Sequence, residues 1–153
     1  MKQFCPSIIV AIGLTLPAFG QGADPVIGTW RLNVEKSTYV GTPAPKSQSN
    51  TFAGEGQTLT DTVEGVDAQG QAYKILFRHI YDGMPHATTG NPTYDSTIYT
   101  RIGNTINAVR FRTGKPVEVA QVVIVPGKTL TNTAEGIDEN NQSYHYVQVY
   151  DRQ

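Results

Sequence analysis

Residues 56–73 read GQTLTDTVEGVDAQGQAY, and residues 127–144 read GKTLTNTAEGIDENNQSY. The two stretches align without a gap and agree at ten of eighteen positions, so one supersecondary unit occurs twice in the chain. Each copy joins two strand-like runs through Asp67-Ala68-Gln69-Gly70 or Asp138-Glu139-Asn140-Asn141. Both turns put Gly or Asn where a type I turn needs a following left-handed residue. The unit is therefore a β-hairpin with a three-residue loop, and that loop sets its register. It places Val63 opposite Ile75, Asp61 opposite Phe77 and Leu59 opposite His79. In the second copy it places Ala134 opposite Tyr146, Asn132 opposite Gln148 and Leu130 opposite Tyr150. A two-residue loop would instead set Thr60 and Thr62 against Phe77 and Ile75, mixing a polar face with an apolar one.

Outward from these hairpins, strand-like runs alternate with turn chemistry at the spacing of sandwiches and barrels. Strands are expected over residues 26–33, 47–53, 57–66, 71–81, 95–102, 105–112, 117–125, 128–137 and 142–151. Gly103-Asn104, Thr113-Gly114-Lys115-Pro116 and Pro126-Gly127 suit tight turns. Successive strands so joined pair antiparallel, and a meander of this length leaves two open edges unless it closes. The fold class expected is all-β: an antiparallel up-and-down meander of eight to ten strands closed into a barrel, with an internally duplicated hairpin. Two links, residues 35–46 and 82–94, are long and proline-containing, so they are not regular strand. Links of this length often act as lids or entrances.

Composition narrows the class further. The 153 residues have 39% apolar and 16% charged content and a formal charge of −1. That is enough for one packed domain, with no Lys/Arg run to bind nucleic acid or an anionic membrane. Lys2, the apolar run of residues 8–16 and the small residues Ala18 and Gly20 read as a secretion signal over residues 1–20. Cleavage is expected between Gly20 and Gln21. This would leave a single barrel domain over residues 21–153, secreted or periplasmic, with no transmembrane segment. Cys5 lies within the signal, so the domain would hold together without disulfides or thiolate metal ligands.

Carrying the hairpin parity along the chain gives an expected inward face. It comprises Trp30, Leu32, Leu59, Val63, Ile75, Phe77, Ile98, Ile102, Val109, Phe111, Val119, Val123, Leu130 and Tyr146. Asp61, His79, Asn107, Gln121, Asn132, Gln148 and Tyr150 fall on the same faces. Each buried polar group costs on the order of 1 to 3 kcal/mol unless it is paired. The row therefore implies either an internal hydrogen-bonded network or a polar cavity inside a barrel of this size.

Asp24-Pro25-Val26-Ile27-Gly28-Thr29-Trp30-Arg31-Leu32-Asn33 carries a Gly-x-Trp on the first strand, which resembles the first-strand signature of lipocalin-like, calycin-type β-barrels. The longer pattern, with Lys36-Ser37, Pro43-Ala44-Pro45-Lys46, Tyr81-Asp82-Gly83 and Thr89-Gly90-Asn91-Pro92, is similar to small secreted uncharacterised bacterial proteins. The resemblance implies that Trp30 plugs the closed end of the barrel. By analogy of fold it also implies a small hydrophobic or amphipathic ligand.

The ligand-binding candidates are His79, Asp61, Gln148 and Tyr150 for a polar end, with Phe77, Phe111 and Tyr146 for an apolar body. His79 beside Asp61 could serve general base chemistry, or be no more than a histidine in a polar core. Asp82, His86 and Asp95 could offer metal ligands, but their spacing fits no metal motif, and a solvated loop is the preferred reading. His145 falls on the outer face. Asn141-Gln142-Ser143 is a formal glycosylation sequon. No nucleophile-elbow, phosphate-loop, zinc-protease or dinucleotide fingerprint occurs. The sequence thus assigns no catalytic residue, metal or cofactor. Its reading is a ligand-binding barrel, with a filled cell-envelope interaction module as the alternative and a cofactor-free enzyme as a third class.

Overall fold

The computed structural model describes residues 24–55 and 58–153. The signal expected at residues 1–20, its cleavage point and Cys5 lie outside the described residues. Ten strands follow one another: β1 Gly28–Val40, β2 Ser47–Glu55, β3 Thr58–Val66, β4 Ala72–Ile80, β5 His86–Ala87, β6 Ser96–Ile102, β7 Thr105–Arg112, β8 Lys115–Val125, β9 Thr129–Ile137 and β10 Ser143–Arg152. All pairings are antiparallel and form one sheet, in the order β4-β3-β2-β1-β10-β9-β8-β7-β6-β5. The sheet curls until β4 meets the residues after β5. There the Leu76 and Thr89 backbones exchange two hydrogen bonds, at 2.9 and 3.2 Å. The result is a nearly closed barrel, with this seam held by a short ladder.

Both hairpins hold the register that their turns dictate. Val63 faces Ile75, Asp61 faces Phe77 and Leu59 faces His79. Ala134 faces Tyr146, Asn132 faces Gln148 and Leu130 faces Tyr150. Gly70 at φ 92° and Asn141 at φ 59° take up the left-handed position. Each donates its N–H at 3.1 Å to the carbonyl of the aspartate that opens the turn, Asp67 or Asp138. The aspartate side chains tighten both loops by accepting from the N–H of Gln71 at 2.7 Å and of Gln142 at 2.8 Å.

β1 and β5 depart most from the sequence expectation, both by adding strand inside the long links. β1 continues to Val40 through an irregularity between Asn33 and Thr38. Across it the Ser37 hydroxyl donates to the Asn33 carbonyl at 2.7 Å and accepts from the Val149 N–H at 3.0 Å, replacing a missing backbone rung. β5 is a two-residue strand inside the second long link.

Trp30 is completely buried, as the first-strand resemblance implies, and its indole N–H donates to the Val26 carbonyl at 2.7 Å. The Arg152 guanidinium lies 5.1 Å over its ring and donates to the Pro25 and Ile27 carbonyls, closing this end of the barrel. Val26, Leu59, Ile106 and Leu130 are the fully buried aliphatic side chains among the described residues. Each such side chain contributes roughly 1.5 to 3 kcal/mol through burial.

One part of the expected inward face is reversed. On β6, β7 and β8 the buried residues are Thr97, Tyr99, Ile106, Ala108, Arg110, Val117, Glu118, Ala120 and Ile124. Ile98, Val109, Phe111, Val119 and Val123 alternate with them and point outward, with Val119 at 47% exposure and Ile102 at 79%. Asn107 and Gln121, expected inside, bond to each other at 3.0 Å on the outer surface. The reversal has a chemical cause: Arg110 sits directly opposite Glu118. Their mutual neutralisation lets two charged side chains occupy the inner face.

Candidate functional site

The barrel interior holds two polar systems. The first is a hydrogen-bonded chain of amides and phenols contributed by β1, β2, β3, β4, β9 and β10. Asn132 donates to Gln148 Oε1 at 3.4 Å, and the same oxygen accepts from Tyr150 Oη at 2.9 Å. Gln148 in turn donates to Tyr39 Oη at 3.4 Å. Gln48 Nε2 donates to Tyr150 Oη and to Asn50 Oδ1, while its Oε1 accepts from Tyr73 Oη at 2.7 Å. Asn50 donates to Asp61 Oδ2 at 3.1 Å, ending the chain on a carboxyl group. Such mutual pairing offsets the desolvation of the amides and holds their rotamers in place.

The second system is ionic. Arg110 pairs with Glu118 Oε1, and Glu118 Oε2 accepts a hydrogen bond from Tyr144 Oη. The guanidinium also lies over the rings of Phe77 and Tyr94, at 5.2 and 5.0 Å. A β-bulge places the carboxylate. Arg110 is opposite Glu118 while Phe111 is opposite Pro116, so Val117 is the extra residue, and both Val117 and Glu118 are buried.

Between these systems lie Asp61, His79 and Tyr99. The His79 imidazole stacks on the Tyr99 ring at 3.9 Å and meets the Phe52 and Phe77 rings edge-on. Its Nε2 is 3.9 Å from Asp61 Oδ2, beyond hydrogen-bond reach. Among the described residues, Asp61 Oδ1, both His79 ring nitrogens and Tyr99 Oη have no hydrogen-bond partner. Burial raises the Asp61 carboxyl to about 7, against the opposing influence of Asn50 and Arg110. Burial also lowers His79 to about 3, helped by the positive charges of Arg110 and Arg101. Near neutral pH the imidazole is uncharged.

A cavity of about 400 Å³ occupies the interior beside these groups. It reaches the barrel end framed by Thr42, Pro43 and Pro45 of the first long link and Asn91 and Thr93 of the second. The turns at Asp67 and Asp138 complete this rim. The first proline-containing link and residues 91–93 of the second thus lie at the mouth, opposite the end closed by Trp30.

Of the residues singled out from sequence, Asp61, Phe77, His79, Tyr146 and Gln148 line the cavity together. Tyr150 is fully buried behind the lining, where its hydroxyl is engaged by Gln148 and Gln48. Phe111 is a correction: it lies on the outer face of β7, next in the chain to inward Arg110, and does not line the cavity. Sequence reasoning missed Gln48, Asn50, Tyr99, Arg110 and Glu118. Glu118 comes opposite Arg110 only through the β-bulge at Val117, which the regular register of that hairpin does not reveal.

The loop cluster divides between separate tasks. His86 Nε2 bonds Asp82 Oδ1 at 2.9 Å, whereas Asp95 accepts from the Thr113 N–H at 2.7 Å and from Ser96 Oγ at 2.8 Å. Among the described residues no three potential ligands converge on a point that would hold a metal ion. His145 is exposed, as its register requires.

The architecture, with Trp30 at its closed end, has the fold of calycin-type β-barrels, and comparison with solved structures finds the same fold. Zebrafish ileal bile acid-binding protein, complexed with cholic acid, superposes with a TM-score of 0.53 at 13% identity, covering 84% of this chain and 99% of that one. Rv2717c from M. tuberculosis gives a TM-score of 0.53 at 14% identity, covering 84% and 93%. Identities this low relate the chains by fold. No protein-family model and no curated protein sequence matches the chain.

Proposed function

We propose that this protein is an exported barrel that carries a small hydrophobic or amphipathic molecule in its interior. The supporting observation is the cavity of about 400 Å³, lined by aromatic rings and a few held polar groups and reaching a loop-framed end. Small-molecule sites combine these features, with volumes of roughly 300 to 1,000 Å³. Phe77 and Tyr146 cover the apolar body, Asp61, His79 and Gln148 meet the polar end, and Tyr150 braces Gln148 from behind. Cholic acid in the zebrafish protein is an instance of a ligand on the same fold. Export rests on the sequence of residues 1–20.

Native mass spectrometry of protein recovered from the exported fraction tests both parts. The expected species begins at Gln21 and carries a copurified small molecule. An environment-sensitive apolar dye should bind wild type and fail to bind Val122→Trp, because Val122 lines the cavity and indole would fill it. A thermal melt confirms that the variant folds. If nothing copurifies and the dye binds neither protein, the carrier reading fails in favour of an interaction module. If the dye binds both equally, it reports the outer surface and the assigned lining is wrong.

A further inference from the structure

We propose that the interior selects a neutral polar group, a hydroxyl or an amide on an apolar body, and discriminates against an anion. This rests on the carrier reading and deepens it. The inference begins with Arg110, the one buried cation on the cavity lining among the described residues, which an acidic ligand would seek. Its guanidinium is already paired with Glu118, whose second oxygen is held by Tyr144, and the Phe77 and Tyr94 rings lie against it. An entering anion would compete with a carboxylate that is fully positioned and desolvated. It would also add a negative charge beside Glu118, and charges repel strongly where the dielectric is low.

The groups still open to a ligand have a different character. Asp61 Oδ1, the His79 nitrogens, Tyr99 Oη and Asn132 Oδ1 are buried on the cavity lining without hydrogen-bond partners among the described residues, and so is Arg110 Nε, although the charge of that guanidinium is already matched by Glu118. An imidazole, a phenol and a carboxyl together offer donors and acceptors within one cluster. A hydroxyl or an amide both donates and accepts, so it satisfies such a cluster. A sulfonate or carboxylate only accepts, and leaves the acceptors unpaired.

The test is displacement of the bound dye by decan-1-ol and by decane-1-sulfonate, which share one chain and differ in head group, below their aggregation limits and near neutral pH. Decan-1-ol should bind at least ~tenfold more tightly. Tyr99→Phe and His79→Phe should each weaken decan-1-ol ~fivefold or more and leave decane-1-sulfonate unchanged. Glu118→Gln releases Arg110 and should strengthen decane-1-sulfonate at least ~tenfold with little change for the alcohol. Should that variant fail to fold, the wild-type comparison and the two aromatic variants still decide the matter. Equal or tighter binding of the sulfonate by wild type overturns the proposal while leaving the carrier reading intact. A dye that does not enter wild type overturns the carrier reading before any competitor is added.

Discussion

The hairpins β3–β4 and β9–β10 have the same register and turn geometry, yet they give the interior different chemistry. Asp61, Phe77 and His79 of the first stand where the second has Asn132, Gln148 and Tyr150. What they keep is the frame. In each, a tyrosine crosses a glycine on the partner strand, Tyr73 opposite Gly65 and Tyr144 opposite Gly136. A Cβ at Gly65 would lie 2.6 Å from Tyr73 Oη, and one at Gly136 3.0 Å from Tyr144 Oη. What they change is the partner of that tyrosine, Gln48 beside the first copy and Glu118 beside the second. Turn and glycine–tyrosine pair carry the register, which leaves the inward side chains free to diverge: both hairpins feed the amide–phenol network, while Tyr144 ties the second hairpin to the Arg110–Glu118 ion pair as well.

Removing the two tyrosine partners is the strongest way to break this comparison. Gln48 and Glu118 sit at matching places, opposite Gly65 and Gly136 respectively. Glu118→Ala leaves Arg110 buried without a counter-charge and should cost ~3 to 5 kcal/mol. Gln48→Ala leaves only neutral hydrogen-bonding groups unpaired and should cost ~1 to 3 kcal/mol. Denaturant titration of both variants measures the gap. Equal losses would mean that the ionic character of the second side contributes nothing distinctive.

The next test separates Asp61 from His79 by pH. Asp61 rises in the fold from 3.8 to about 7. The folded state therefore binds the extra proton between these values, and stability falls as pH rises. His79 drops from 6.5 to about 3. There the unfolded state binds the extra proton, and stability rises with pH. Across the shared window from 3.8 to 6.5 the two slopes cancel, so wild type should be nearly level. Asp61→Asn makes the first hairpin match the second at this position and exposes the histidine slope. Its stability should climb by roughly 3 to 4 kcal/mol across that window. His79→Phe should fall by a similar amount over the same window. Unfolding curves across pH check both signs, and parallel profiles for the two variants would show that the groups do not titrate as their burial requires.

The hairpins were legible in the sequence because a repeat and its turn chemistry specify register independently of hydrophobicity. With the register went the placement of Asp61, His79, Phe77 and Gln148 on one inner surface. β6, β7 and β8 misled the reading because Ile98, Val109, Phe111, Val119 and Val123 suit a pleated surface on either side. The rule that apolar residues face inward therefore chose the wrong face. Arg110 and Glu118 violate that rule individually and satisfy it only as a pair, so no single-position preference reveals them. The Ser-Gln-Ser-Asn opening of β2 is polar on both faces. Gln48 and Asn50 become recognisable as interior residues only through their pairing with Gly65 and Val63.

The smallest effect expected is also the most direct test of the shared frame. Gly70 and Asn141 hold the same left-handed position, at φ 92° and φ 59°. A Cβ at Gly70 would approach only Lys46 Nζ, at 3.2 Å, the movable end of a long side chain. The cost of substitution there is therefore conformational rather than steric crowding. Gly70→Val should lose ~1 kcal/mol or more, because a β-branched residue resists this backbone region. Gly70→Asn, which copies the second hairpin, should lose much less, since asparagine tolerates the left-handed region. Asn141→Gly should be neutral or slightly stabilising, because strain relieved in the fold is partly offset by added freedom in the unfolded chain. Thermal melts of the three variants rank them. If Gly70→Val melts with wild type, the left-handed residue does not hold the register, and the correspondence of the two hairpins must be attributed to the glycine–tyrosine pairs alone.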